Sequence, residues 1–448
     1  MTEGPLLGIL LRVALPITLT NLFQSSFDII NAFWVGRLGE EAIAAVAASG
    51  PLFNVLIQLG SGLSTAGAVL IAQNAGARRH DVLDHVAAQT LLMVALMAAA
   101  FAIAGASVAS PLLRLIGVPP AIHDLSAHYL HVRYFGMVPM FCFLAMQAMF
   151  QAVGEVRFAM LVQIGSILCN ALLDPLLIFG LGPFPALGVA GAALATVIVQ
   201  TAALAIALRH LLSGHSALHL RIPDFRPDWA HIRRAASLGI PASLELGIRT
   251  FSSLLLMSLA ASFGTLGLAA YGVGTRLLFF WFMPMTGLSI ATAAVVGQNI
   301  GAGLEHRARA AARLSAWLGF LSMTGVGLLL IPFVPAIMHA LAPGEDRVVA
   351  EAIRFAYLYC PFLGILAVPQ ALLGAFRGAG STKQSMTISM AMQWVFQMPS
   401  AWIIALATPL GLLGVWLSYP IANCAGAILC ILWFRYGSWR NRQVEPKP

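Results

Sequence analysis

The stretch NLFQSSFDIINAFWVGRLG, residues 21–39, lies at the end of the first long apolar segment and decides how the chain is read. At 100° per residue, Asn21, Gln24, Asp28 and Asn31 fall at about 0°, 300°, 340° and 280°, on one face of a helix. A carboxylate and three amides along one stripe of an otherwise apolar helix require polar partners or a hydrated cavity.

Working outward, the 448 residues are 59% hydrophobic and 9% charged, with a mean hydropathy of +0.86. Residues 42–77, 86–113, 314–344 and 384–434 contain no charged side chain. A spanning helix needs about 20 mostly apolar residues, so the pattern predicts an all-α polytopic membrane protein. A transmembrane β-barrel would alternate apolar and polar residues, and these runs do not. Twelve spans are expected near 8–35, 43–73, 86–112, 126–153, 157–180, 187–209, 235–263, 267–298, 310–338, 348–376, 383–407 and 412–434. The first is too long and its flank too poor in basic residues for a cleavable leader. Five cysteines (142, 169, 360, 424 and 430), without a CxxC, read as small core residues rather than disulfide partners or metal ligands.

The net charge of +8 is a topology signal. Arg78, Arg79, Arg157, Arg209, Arg233, Arg234, Arg307, Arg309, Arg313, Arg377 and Lys383 fall in even-numbered connections, whereas odd-numbered ones hold Arg37, Arg114 and Arg347. Lys and Arg favour the cytoplasmic side, so both termini are expected there. Nucleic acid is not the expected partner.

The chain repeats. Shifted by 225 residues, 44–77 superposes on 269–302 with twelve identities, including GLS (62–64 on 287–289) and QNxGA (73–77 on 298–302). Pro16 meets Pro241, and Gly39 meets Gly264. Six spans per repeat gives two six-helix bundles of the same orientation, related by a pseudo-two-fold along the membrane normal. The expected organisation is an amino-terminal bundle (1–209), a cytoplasmic linker (210–234), a carboxy-terminal bundle (235–434) and a cytoplasmic tail (435–448). The linker histidines His210, His215 and His219 read as solvated loop residues rather than a metal site.

Three acids lie well inside spans: Asp28, Asp174 and Glu245. In the fifth span Gln163, Asn170 and Asp174 share a stripe; the sixth adds Thr196 and Gln200. Carboxylate, amide and hydroxyl oxygens suit a hard cation or a shared proton. The competing reading is polar glue between packed helices. Asp28, Asn31, Asn170, Asp174 and Thr196 are therefore candidate coupling residues, and Asn21, Gln24, Gln163, Gln200, Glu245 and Arg249 candidate cavity residues. Glu245 and Arg249 stand one turn apart, so a neutral intrahelical pair is an open alternative. Pro16 and Pro241 are candidate hinges. No Walker loop, HExxH or GxSxG occurs, and no nucleophile–base pair marks an enzyme.

Two six-span repeats, PxTxxN in the first span, FWVGRLG after it, NALLDP at 170–175 and the repeated GLS…QNxGA elements resemble the multidrug and toxic-compound extrusion (MATE) family. The span-5 motif is most similar to the branch related to DNA-damage-inducible proteins. The resemblance implies a secondary antiporter that exports organic, cationic compounds in exchange for H+ or Na+ by alternating access. It implies a cation site onto which Asn170, Asp174 and Thr196 map. Where the family pattern places an acid, this chain has Asn31, and its acid stands one turn earlier at Asp28. No cofactor and no resident metal are expected, only the transported ion. The expected setting is a bacterial-type cytoplasmic (inner) membrane, with a monomer in the lipid bilayer and small organic compounds as partners. A lipid-linked oligosaccharide flippase of the same superfamily is the alternative reading.

Overall fold

The computed structural model describes residues 1–439 except His215 and Arg221; the side chains of Asp28, Ile29 and Ile222 also lie outside the described part. Among the described residues the secondary structure is helical throughout. The first repeat runs α1 (Leu6–Gly36), α2 (Glu40–Gly76), α3 (His80–Leu115), α4 (Pro120–Phe135), α5 (Met137–Val153), α6 (Val156–Phe179) and α7 (Gly188–Leu212). The second runs α8 (Trp229–Ala261), α9 (Gly264–Gly301), α10 (Glu305–Leu330), α11 (Val334–Leu341), α12 (Asp346–Tyr359), α13 (Leu363–Gly378), α14 (Thr382–Met390), α15 (Met398–Ala407) and α16 (Leu412–Tyr436).

Ten helices or fused helices are long and apolar enough to cross a membrane, and the pair α4–α5, bent by 48°, makes an eleventh. Those eleven are counted among the described residues; where the sequence predicts the remaining span, α14 runs into α15 through a π-helical turn at Ala391–Gln397. Proline explains most of the breaks, because it removes a helical donor and clashes with the preceding turn. Pro332 and Pro361 sit in 3-10 turns at Ile331–Phe333 and Cys360–Phe362, and Pro399 follows the π turn. Pro16 and Pro241 instead stay inside unbroken helices. Helices outrun the apolar runs that predicted them: α2 begins on Glu40 and Glu41 and α3 carries Asp81 in its first turn. Acids there face water and favour the helix N-terminus.

The chain divides into two compact units: Leu19–Ser243, and Met1–Thr18 with the chain from Leu244 onward. The cuts fall after Thr18 and Ser243, 225 residues apart, which is the repeat offset. Each cut lies two residues beyond a candidate hinge proline. Side-chain detail repeats as well. Asn74 Nδ2 donates to Leu70 O at 3.0 Å, and Asn299 Nδ2 to Val295 O at 2.7 Å. A Cβ on Gly62 would collide with Ser243, and one on Gly287 with Thr18. The left-handed positions also pair: Gly39 with Gly264, and Arg78 (φ 56°) with Gly303 (φ 75°).

The linker is not simply solvated. Asp84 Oδ1 accepts from His219 N at 2.8 Å, and Glu155 accepts from Ser216 Oγ and Ala217 N at 3.0 and 2.7 Å. His210 stacks on Phe158 at 3.8 Å and contacts Glu155 at 3.2 Å. Gln89 donates to Asp224 O and Arg226 O, both at 2.6 Å. Residues 216–219 and 224–228 are thus pinned by acids and amides of α3 and the α5–α6 junction. His215 lies outside the described residues, as does the tail from residue 440. Among the cysteines, Cys142, Cys360 and Cys430 are buried as expected, but Cys169 is exposed and Cys424 only half-buried. The apolar run around Cys169 shows only that its helix spans, not which face the thiol takes.

Candidate functional site

Within the unit Leu19–Ser243, the end of α1 packs on α6 and α7. Val35, Ile178, Val189, Ala192 and Ala193 share one core cluster, with Trp34 and Phe179 against it. Trp34 meets Phe179 edge-on at 6.1 Å. Asn31 stands one turn before Val35, Asp174 one turn before Ile178, and Thr196 one turn after Ala192. Since α7 runs back along α6, these residues extend from the cluster toward one level of the bundle. Gly191 allows the approach of the last two helices, because a Cβ there would strike the Leu177 carbonyl.

Asp174 is fully buried and Asn170 is 3% exposed. Asn170 Nδ2 donates to Asp174 Oδ1 at 2.6 Å, while Asp174 Oδ2 has no protein partner. Asn31 Oδ1 is buried and likewise unpartnered. Thr196 donates its hydroxyl hydrogen to Ala192 O at 3.1 Å, which leaves its lone pairs to accept or coordinate. Pro175 has no N–H to offer the Ala171 carbonyl one turn back. Unpaired buried oxygens of this kind are costly unless a proton, ion or water meets them. Across the helices, Gln163 Nε2 donates to Gln24 Oε1 at 2.8 Å and joins the α1 and α6 stripes. Asn21 and Gln200 are half-buried. The Asp28 side chain lies outside the described residues.

Within the other unit, the carboxylate at Glu245 has different partners from the one its spacing offered. Its Oε2 accepts from Ser385 Oγ at 2.8 Å, and its Oε1 from Ser389 Oγ at 3.0 Å and Arg377 Nη1 at 3.5 Å. The same guanidinium donates to Ser289 Oγ at 2.9 Å, which passes its own hydrogen to Gln370 O at 2.7 Å. Among the described residues no ion pair joins Glu245 to Arg249. The intrahelical pair is replaced by a buried network from four helices, since a carboxylate 3% exposed needs several donors, not one flexible cation. Arg249 lies over the Phe282 ring, 4.9 Å from its centroid.

Sequence reasoning missed Arg377, Ser385 and Ser389 as partners. Arg377 was absorbed into the topology count, but Ser385 and Ser389 stand one turn apart in a charge-free run, a signal for a shared polar face. It also passed over Arg133 in the fourth span, whose guanidinium covers the Phe53 ring at 4.2 Å.

The MatE family model matches residues 16–176 and again 241–403, starting points one repeat offset apart. "Probable multidrug resistance protein NorM" of Bradyrhizobium diazoefficiens is 30% identical over 438 residues, covering 95% of this chain and 92% of that one. "Probable multidrug resistance protein YoeA" of Bacillus subtilis is 28% identical over 433 residues, covering 96% and 93%. A protein named FAD transporter from Shewanella oneidensis is 28% identical and covers 96% and 94%. Among solved structures, a MOP superfamily transporter from Pyrococcus furiosus superposes with a TM-score of 0.91 at 24% identity, covering 97% and 96%; at that identity the likeness speaks for the fold. Two tandem matches that span most of the sequence, with relatives aligned over nearly their whole length, make this chain a member of the MatE family of membrane transporters.

Proposed function

We propose that this chain is a secondary antiporter that exports small organic compounds, cationic ones among them, in exchange for H+ or Na+ by alternating access. The observation that carries the reading is Asp174: a fully buried carboxylate in a membrane helix, one oxygen held by Asn170 and the other open. Asn31 and Thr196 add oxygens beside the same core cluster, and the sequence stripe offers Asp28 as a second acid. Proton or cation binding neutralises the stripe and lets α1 bend near Pro16, where the unit boundary follows two residues later. Pro241 serves α8 in the same way. The named relatives, multidrug resistance proteins and a FAD transporter, support export of small organic molecules. The basic connections support a cytoplasmic-membrane setting with both termini inside.

Exchange of one proton for one monovalent cation is electroneutral, so the pH gradient alone drives it. Two protons per monovalent cation also use the potential, about 2.3 kcal/mol per charge per 100 mV. That is under about two decades of substrate gradient at roughly 1.4 kcal/mol per decade. The test is substrate-driven H+ or Na+ flux in proteoliposomes, with sodium-free buffer and an uncoupler as the two arms. Asp174→Asn abolishes flux while the protein still folds; unchanged flux rejects the assignment. A lipid-linked oligosaccharide is less well served, since its pyrophosphate needs several cations and Arg377 is already held by Glu245.

A further inference from the structure

Resting on the transporter reading above, we propose that the unit from Leu244 onward carries a site for the anionic, aromatic part of an exported compound, with Arg249 as its ion-pairing residue. The argument begins with charge. Glu245 is held by Arg377, Ser385 and Ser389. Arg249 stands one turn further along α8, within electrostatic range of Glu245, Arg377 and Tyr359. Two guanidiniums and one carboxylate leave this part of the bundle with one excess positive charge. Among the described residues no acid pairs with Arg249, and its contact is the Phe282 face. A cation in a span requires an anion or water, and a cation–π contact alone gives only about 0.5–2 kcal/mol. The open partner is an anion.

The walls specify the rest of the ligand. Tyr359 stacks on Trp281 with ring centroids 5.9 Å apart and planes within 7°. Asn423 is 7% exposed and its side chain meets the Tyr359 hydroxyl. The aromatic rings of Phe282, Tyr359 and Trp281 beside one guanidinium fit a planar ring bearing a carboxylate or phosphate. Arg is suited to either, through paired N–H donors.

Two xanthene dyes of opposite charge test the inference: fluorescein, an anion, and rhodamine 6G, a cation. Binding of each to the full chain in lipid nanodiscs is followed by fluorescence anisotropy, without any ion gradient. The wild type binds fluorescein, and benzoate or phenyl phosphate competes; the better competitor distinguishes a carboxylate from a phosphate preference. Arg249→Gln weakens fluorescein at least tenfold and leaves rhodamine 6G within twofold, while Arg249→Lys keeps part of the affinity. Equal effects on both dyes, or no effect on either, overturn the proposal. Should Arg249→Gln fail to fold, wild-type protein that does not bind fluorescein overturns it by itself, and Arg249→Lys, expected to weaken fluorescein about threefold and leave rhodamine 6G unchanged, supplies the second variant. Dye binding is read without an ion gradient and ion flux with one, so failure of the coupling assignment and failure of this site are separable.

Discussion

Arg377 lies 3.5 Å from Glu245 and 2.9 Å from Ser289, so one guanidinium at the end of α13 ties α8 to α9. Removing one member of a buried pair strands the other, at a cost of about 3–5 kcal/mol, whereas replacing both by apolar groups is often neutral. Arg377→Ala should therefore lower the melting temperature in detergent more than the double variant Glu245→Gln/Arg377→Met. Equal losses would mean that the pair is not what joins the helices.

Asn170 Nδ2 donates to Asp174 Oδ1, so under the proposed coupling role the amide acts on the ion through that carboxylate. A hydrogen bond to a charged group is worth about 1.5–3 kcal/mol, or about tenfold or more in affinity. A donor to the carboxylate favours its charged form over its protonated one, so Asn170→Leu should lower the half-saturating concentration of a coupling proton about tenfold while the fold persists. The readout is ion-dependent substrate efflux, with circular dichroism to confirm helix content.

Close approach of α6 and α7 depends on Gly191. Gly191→Ala places a methyl against the Leu177 carbonyl, and overpacking of this kind costs about 1–3 kcal/mol. Gly165 on α6 has nothing within 4 Å of a built Cβ. Gly165→Ala should be neutral or slightly stabilising, whereas Gly191→Ala loses both thermal stability and transport.

The pair Arg78 and Gly303 gives opposite expectations from one backbone conformation. A left-handed non-glycine residue costs about 1–2 kcal/mol, and glycine returns about 0.5–1 kcal/mol of that in chain entropy. Arg78→Gly should change stability by less than about 1 kcal/mol, and Gly303→Val should destabilise by about 1–2 kcal/mol. Thermal unfolding of the two variants side by side checks both signs.

Asp228 caps α8, accepting from Ala230 N at 2.9 Å and His231 N at 3.3 Å, with His85 3.4 Å from its other oxygen. Its carboxyl is held below the usual value chiefly by the His231 N–H, with Ala230 and His85 acting the same way against burial. A lowered carboxylate pKa contributes stability above the unfolded value, near 4, and loses it as pH falls through the folded value. With 42% of the side chain exposed, the electrostatic part is screened. Asp228→Ala should cost about 1 kcal/mol at neutral pH through the lost cap and flatten the decline in melting temperature below about pH 5.

Ten spans, and an eleventh in the bent pair, were legible because membrane helices need long uncharged runs, and the matches at Gly39, Pro16 and the GLS and QNxGA elements gave the repeat its register. Their ends were less legible, since α2, α3 and α8 continue through charged or polar residues that water solvates. The stripes of α1 and α6 were visible from spacing, and Gln24 does meet Gln163. What spacing could not give was the partner of Glu245. Arg249 is near in sequence, but Arg377 and Ser385 come from other helices, and long-range pairing leaves no period to read. The π turn at Ala391–Gln397 was hidden for a related reason: an extra residue in one turn changes no composition.

The placement of the unit boundaries after Thr18 and Ser243 has a consequence for dissection and ancestry. Two half-length polypeptides parted in the linker would each lack a stretch that completes its bundle and carry one that completes its sibling's. Neither half is self-sufficient, and activity should return only on co-expression. By the same logic a single-repeat ancestor would have had to act as two chains, each supplying the segment that completes the other's bundle.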